Sequence, residues 1–199
     1  MKVVLASKNA HKLVEIKQIT DQFGFELVLQ SELGVDIDVE ETGTTFEENS
    51  LLKARAVMEA TGLPALADDS GIAVDALNGE PGVHTARYGG EGVRTDRDRY
   101  EYLLSQMEGI PQEQRGAKFV TVITLLFPDG RKVVARGECP GRILFAAEGD
   151  NGFGYDPVFF SYDAGNSFAL LPPEVKNSLS HRARALTALV QKIREENIL

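Results

Sequence analysis

The sequence predicts a mixed α/β protein with two lobes around a cleft. Three observations predict it. Short apolar runs alternate with helical patterns through the first third of the chain, as in a sheet with crossover helices. The strongest apolar run, Ala117 to Phe127, is followed after Pro128-Asp129-Gly130 by a second, Lys132 to Gly137, the pattern of a hairpin. The chain ends in an amphipathic helix carrying Leu186, Leu189, Val190 and Ile193 at helical spacing. At 199 residues and 43% hydrophobic content, one domain over residues 1–199 buries a sizeable core.

Lys2 to Ala6 reads as a strand, Ser7-Lys8-Asn9-Ala10-His11-Lys12 as a polar turn, and Leu13, Ile16, Ile19 and Phe23 as the apolar stripe of a helix. Strand, turn and helix start in that order make an anion site, because backbone N–H groups and the positive end of the helix point at it. Lys12 in the first helical turn opposes a dipole that favours acids there. A local misfit of this kind hints at a functional side chain. Phe25 to Leu29 is a second strand, followed by an acidic stretch from Asp36 to Glu41. Thr44 with Glu47, or Thr45 with Glu48, forms a capping box for a helix through Leu51, Leu52, Ala54, Val57 and Met58 to Gly62. Glu40 and Glu41 lie outside that cap and are available for other work. Lys53, on pattern alone, is an exposed mid-helix lysine.

Leu63 to Ala67 reads as a buried strand that stops at Asp68-Asp69-Ser70-Gly71. In open α/β sheets, ligands bind beyond the carboxyl ends of the strands, which sets the two acids at a cleft. A plain Asx-type turn is the alternative. Side chains alternate along a strand, so two roles stay open: a metal ligand beside a water-activating base, or one structural acid beside one functional one. Ile72 to Asp75 then reads as a separate strand. Asn78 to Gly90, with Arg87, is a long glycine-rich loop, a type that is usually functional or mobile. Thr95 caps a charged helix from Asp96 to Met107. Pro140-Gly141 breaks the returning strand, and Arg142 to Phe145 starts another. A second glycine-rich loop, Glu148 to Pro157, carries Phe153, Gly154, Tyr155 and Asp156. Val158 to Phe160 is a short strand, residues 161 to 173 read as irregular, and Ser180 caps the last helix. His181 and Arg182 sit in its first turn, again against the dipole.

A net charge of -9 argues against a nucleic acid polymer as partner. No apolar segment is long enough for a membrane span, and the first apolar run is too short for a signal peptide. The single cysteine, Cys139, excludes an internal disulfide framework and a cysteine zinc site. The three histidines are widely spaced, which disfavours a histidine-rich metal centre. Neither a Walker A nor a GxGxxG sequence is present. All of this suits the cytoplasm and a small anionic ligand met by local cations.

Two sets of residues remain. Lys12, Lys53, Arg87, Lys176, His181 and Arg182 are cations beside turns or in helices; Glu40, Glu41, Asp68 and Asp69 are acids beside glycine turns. Carboxylates hold Mg²⁺ with retained waters and cations hold phosphate oxygens, so the combination points to a phosphate ester substrate. Phe153 or Tyr155 offers a ring to stack on a base, and a glycine-rich turn with its aromatics in the core is the alternative.

These motifs resemble those of the inosine/xanthosine triphosphate pyrophosphatase family over nearly the whole chain. The stretches that carry the resemblance are Ser7 to Lys12, Glu40-Glu41-Thr42-Gly43, Asn49 to Ala54, Ala67 to Gly71, Pro81 to Tyr88, Gly152 to Pro157, and Lys176 with Ser180-His181-Arg182. The resemblance implies a Mg²⁺-dependent hydrolase, with Mn²⁺ as substitute, that cleaves ITP, dITP and XTP to the monophosphate and pyrophosphate. It also implies an elongated two-lobed fold, with helices packed on a long central mixed sheet and an active-site cleft between the lobes, and a homodimer. Asp69 would accept the proton and touch the metal, with Glu40 or Glu41 as the other metal contact and Asp68 beside them. Lys12, Lys53 and Lys176 would grip the triphosphate or sugar, with Ser7, Lys8, Asn9 and Arg87 as further substrate contacts. Ser70 and Phe153, Gly154, Tyr155 and Asp156 would contact the nucleotide, and His181 with Arg182 the base.

One departure stands out: many members have Thr-Gly-Asn where this chain has Ser7-Lys8-Asn9, and Lys8 removes a glycine from the phosphate turn. Two other readings compete: a metal-dependent phosphatase that releases orthophosphate, and a nucleotide-binding module without turnover. For base choice, hypoxanthine and xanthine present an acceptor oxygen where adenine presents an amino donor. Arg182 offers only donors, which a 6-oxo base satisfies.

Overall fold

The computed structural model describes residues 1–8, 10–20, 24–196 and 198, with the backbone alone at 10, 11 and 19. Candidate Asn9 and the expected core residue Phe23 lie outside the described residues. A seven-stranded mixed sheet runs in the order β2-β1-β3-β4-β5-β6-β7. Its strands are β1 (Lys2–Leu5), β2 (Glu26–Leu29), β3 (Ala65–Val74), β4 (Gly116–Leu126), β5 (Lys132–Ile143), β6 (Phe159–Ser161) and β7 (Asn166–Ser167). The helices are α1 (Ala10–Thr20), α2 (Phe46–Thr61), α3 (Asp96–Gln106), α4 (Pro173–Leu179) and α5 (His181–Glu195). Strand β1 pairs in parallel with β2 and β3, whereas β5, β6 and β7 pair antiparallel. Among the described residues, no helix is long and apolar enough to cross a membrane.

The chain divides into two compact units. The first comprises Met1–Asp69, Thr121–Gly137 and Arg182–Leu199. Its half of the sheet is covered on two faces. On one, Val3, Leu5, Leu66 and Ile123 meet Ile16 of α1 and Leu186, Leu189 and Ile193 of α5. On the other, Val4, Ala65, Ala67 and Leu126 meet Ala54 and Val57 of α2. Alternating residues of β3 thus face different helices, as the period of two requires. Helix α2 begins at the Thr45–Glu48 capping box, which decides between the two boxes the sequence allowed. It is pinned to β4 by the buried Ser50–Thr124 hydroxyl pair at 2.7 Å. The second unit, Ser70–Val120 and Glu138–His181, has its own core of Ile72, Val74, Leu103, Met107, Phe119, Phe159 and Phe168.

Four expectations change. Asp68-Asp69-Ser70-Gly71 is not a turn: β3 runs on to Val74, and Gly71 has no positive φ. Cations neutralise both acids from the flanking helices, so a carboxylate pair sits inside a strand without terminating it. Pro140-Gly141 does not break β5, because Pro140 forfeits only its own N–H; its carbonyl still accepts from the Tyr162 N–H at 3.1 Å. The ladder continues through Gly141↔Ser161 to Ile143↔Phe159. There a Cβ on Gly141 would lie 2.2 Å from the Phe160 carbonyl oxygen, so only glycine admits the neighbouring strand. Residues 161 to 173 are not wholly irregular; they contain β7 and a 3₁₀ turn at Phe168–Leu170. Helix α4, absent from the expected elements, precedes α5, whereas Ser180 keeps its expected place directly before α5, with the extended backbone of an N-cap residue.

Candidate active site

In the first unit, β3 presents its two acids to opposite faces. Asp68 follows Leu66 toward α1 and α5. Its Oδ2 lies 3.1 Å from Lys12 Nζ and 3.4 Å from Arg182 Nε. Arg182 Nη1 also donates to Glu15 of α1. Burial opposes the charge on Asp68, but Lys12, Arg182 and Lys53 outweigh it and hold the carboxyl below the usual range. Oδ1 of Asp68 is buried with no hydrogen-bond partner among the described residues. Lys12 is pushed below the ordinary lysine value, chiefly by burial and secondarily by Lys53 and Arg182 against the pull of Asp68.

Asp69 points with Ala65 and Ala67 toward α2. Its Oδ1 accepts from Lys53 Nζ at 3.0 Å, and its Oδ2 from the Asn49 amide at 3.3 Å. The same ammonium donates to Glu41 at 2.7 Å, so one cation joins the two carboxylates. Lys53 is therefore not the exposed lysine its position suggests: only 14% of its side chain is exposed. Burial works against its charge, but Asp69, Asp68 and Glu41 raise its pKa overall. Asp69 is raised, first by burial and then by Glu41, against the lowering effect of Lys53. A carboxylate shifted toward neutrality in this way is a better proton acceptor than an ordinary one. Asn49 also takes the Gly43 N–H at 2.8 Å, which ties the Glu41–Gly43 segment to α2.

Glu40 is exposed, while Glu41 faces Lys53. Lys8 pairs with Asp36 at 2.8 Å. The one positive-φ residue other than glycine among those described is Asn78, so position 8 does not need glycine for its conformation. Ser7 follows β1 and is half-buried.

In the second unit, the Gly152–Asp156 turn brings Phe153 against Lys176 of α4. Lys176 Nζ lies 2.6 Å from Asp156 Oδ2 and 4.7 Å from the centre of the Phe153 ring, a cation–π distance. Asp156 Oδ2 also accepts the Phe153 N–H at 2.9 Å. Gly152 has φ +78°, and a Cβ there would meet that carboxylate oxygen at 2.1 Å, so the turn demands glycine. Tyr155 is buried and its hydroxyl donates to the Thr85 carbonyl at 2.9 Å; burial pushes the hydroxyl's pKa up. Tyr155 is thereby a core residue, and Phe153 is the half-buried aromatic of the turn. His181 stacks on Phe119 at 4.8 Å. Ser70 follows Asp69 on β3, and the exposed Arg87 donates to His84 Nδ1 at 3.3 Å.

The sequence reading assigned no role to three residues found here. Glu15 was signalled by an acid beside Ile16 in an otherwise apolar stripe, three residues from Lys12. Asn49 opens one of the stretches that carry the resemblance, but its side chain has no assigned role there. Asp96, which receives the Gly154 N–H at 2.7 Å, looked like an ordinary first-turn acid.

Fold and sites define a mixed α/β protein whose buried lysines suit a polyanion and whose paired carboxylates suit a hard cation. The chain belongs to the Ham1 family, whose model matches residues 3–192. A dITP/XTP pyrophosphatase of Haemophilus influenzae is 49% identical over 194 residues, covering 96% of this chain and 98% of its own. One from Thermus thermophilus is 48% identical over 98% of this chain and 93% of its own. Among solved structures, a HAM1 protein from Coxiella burnetii superposes with a TM-score of 0.88 at 40% identity, covering 98% of this chain and 99% of its own. A nucleoside-triphosphatase / dITP/XTP pyrophosphatase from Mycobacterium abscessus gives 0.76 at 43%, covering 98% and 100%.

Proposed function

We propose that this chain hydrolyses non-standard purine nucleoside triphosphates, dITP, ITP and XTP, at the α–β anhydride, giving the monophosphate and pyrophosphate. The observation that carries the reading is Asp69: a buried carboxylate with a raised pKa, joined to Glu41 through one lysine. Asp69 takes a proton from water, and Asn49 and Lys53 fix the direction of its lone pairs. Lys12 and Lys53 bind phosphate oxygens. Lys176, oriented by Asp156, binds the sugar–phosphate, and Phe153 offers its face to the base.

The donor set fits a hard divalent cation. Glu41 and Asp69 supply carboxylate oxygens that already share one positive centre. No group of three or more Asp, Glu, His or Cys that could hold a metal ion occurs among the described residues, so a cation held by Glu41 and Asp69 would take its remaining ligands from water and phosphate oxygens. Bound there, Mg²⁺ would neutralise charge on the phosphates and lower the pKa of a bound water. Glu41 is preferred to Glu40 because Glu41 faces Lys53. Asp68 is assigned to holding Lys12 and Arg182, since three nearby cations make its surroundings repulsive to a metal ion.

Arg182 and His181 belong to the base-reading part of the proposal, with donors that favour a 6-oxo purine. Residues 1–199 acting as one catalytic domain, a homodimer and a cytoplasmic location complete the reading. The test is product analysis with ITP, dITP and XTP in Mg²⁺. Monophosphate and pyrophosphate are expected. Orthophosphate would identify a phosphatase, and binding without turnover a nucleotide-binding module.

A further inference from the structure

The geometry points to Asp96 as a positioning residue that sets the nucleotide-contacting turn from outside it. Asp96 opens α3. Its Oδ2 accepts the Gly154 N–H at 2.7 Å, and its Oδ1 accepts from Arg99 Nη2 one turn along the same helix. The helix start does not depend on Asp96, since Thr95 caps it and Asp98 completes the capping box. The carboxylate therefore serves the turn.

The turn needs such a tether. Phe153 stands between two glycines of positive φ, Gly152 at +78° and Gly154 at +63°, each with more accessible conformations than any other residue would have. On one side the turn is fixed to the core: Tyr155 donates to the Thr85 carbonyl, and the Thr85 hydroxyl accepts the Ile72 N–H of β3 at 2.9 Å. On the other side Asp96 fixes Gly154 by a charge-assisted bond, with Arg99 holding the carboxylate in place. Directly before these anchors the Phe153 N–H meets Asp156 Oδ2, which carries Lys176. Loss of the Asp96 anchor releases Gly154 and spreads the Phe153 ring and the Asp156–Lys176 pair over several arrangements. Substrate binding must then reorder them.

This inference rests on the proposed contact between the turn and the nucleotide. The experiment compares five purified full-length proteins with ITP: wild type, Asp96→Ala, Asp96→Asn, Thr95→Ala and Phe153→Ala. Asp96→Ala is expected to raise KM about tenfold, the scale of one lost hydrogen bond to a charged group, with kcat changed less than threefold. Asp96→Asn retains an acceptor oxygen for Gly154 and should recover most of that loss. Thr95→Ala weakens α3 by removing its cap and should lower Tm while leaving KM unchanged. If Thr95→Ala raises KM as much as Asp96→Ala, helix stability is the cause and the positioning role is wrong. An unchanged KM in Asp96→Ala, or no recovery in Asp96→Asn, also overturns it. Phe153→Ala separates the two levels. If it raises KM while Asp96→Ala does not, the inference fails alone. If it leaves KM unchanged, the turn does not hold the nucleotide and the inference falls with that reading.

Discussion

Replacing Asp68 with alanine removes the carboxylate that faces Lys12 at 3.1 Å and Arg182 at 3.4 Å, and leaves two buried cations beside each other. Breaking a buried ion pair from one side costs about 3–5 kcal/mol. Glu15 still holds Arg182, which places the expected loss toward the lower end. For a chain of this size each kcal/mol moves Tm by about 2–4 °C, so Asp68→Ala should melt about 6–12 °C below wild type near pH 7. The assay is thermal unfolding by far-UV circular dichroism. The pH dependence follows from the same cluster. The folded-state pKa of Asp68 is depressed, so its contribution is fully present above the unfolded value, near pH 4, and is lost as pH falls through the depressed folded value. The gap between wild type and variant should therefore narrow in acid below about pH 4. A variant melting within about 2 °C of wild type at pH 7 would mean that water screens these charges despite their burial, and the assignment of Asp68 to holding Lys12 and Arg182 would be wrong.

Asp69→Asn should behave in the opposite sense. Turnover of ITP should fall by at least about a hundredfold, the low end for a lost general base, with a smaller change in Tm because Glu41 still pairs with Lys53; near wild-type kcat would exclude the role. Excess EDTA should abolish activity and added Mg²⁺ or Mn²⁺ restore it, as measured by pyrophosphate release; full activity in EDTA would contradict the hard-cation site. Lys8→Gly should change kcat/KM by no more than about fivefold, since it breaks only the exposed pair with Asp36. A larger loss would show that Lys8 itself holds phosphate.

The residues that misfit their local setting were the legible part of the site. Lys12 and Arg182, cations at helix starts where the dipole disfavours them, prove to be partners of Asp68. Lys53 fits a surface helix position well, so nothing in its surroundings along the chain betrayed it. Its role depends on Glu41, twelve residues earlier, and Asp69, sixteen later, arriving at one ammonium through tertiary packing. Turn chemistry held at Pro128-Asp129-Gly130 and misled at two other places. Asp-Asp-Ser-Gly and Pro-Gly are strong local signals for leaving a strand, yet β3 and β5 pass through them. In the first case cations from flanking helices offset the carboxylate charge, and in the second the neighbouring strand supplies the remaining ladder bonds. The early strand–helix alternation and the Thr95 cap depend on short-range patterns, and the fold retains both.

That β3 continues through the acids matters for what they do. A turn would let both carboxylates swing toward the same solvent. A strand sends them to opposite faces, and the cores on those faces differ in charge as well as in shape. Toward α1 and α5, Asp68 meets Lys12 and Arg182 and is held ionised. Toward α2, Asp69 meets one shared lysine, a neutral amide and the nearby charge of Glu41, and is pushed toward protonation. Two chemically identical neighbours thus acquire pKa values displaced in opposite directions. That separation suits the division proposed above, one acid holding cations and the other accepting a proton. A one-residue slip of β3 would exchange the two faces and set Asp69 among the cations, so the register of β3 against β1, Leu5 opposite Leu66, fixes the surroundings of the proposed proton acceptor as well as the sheet.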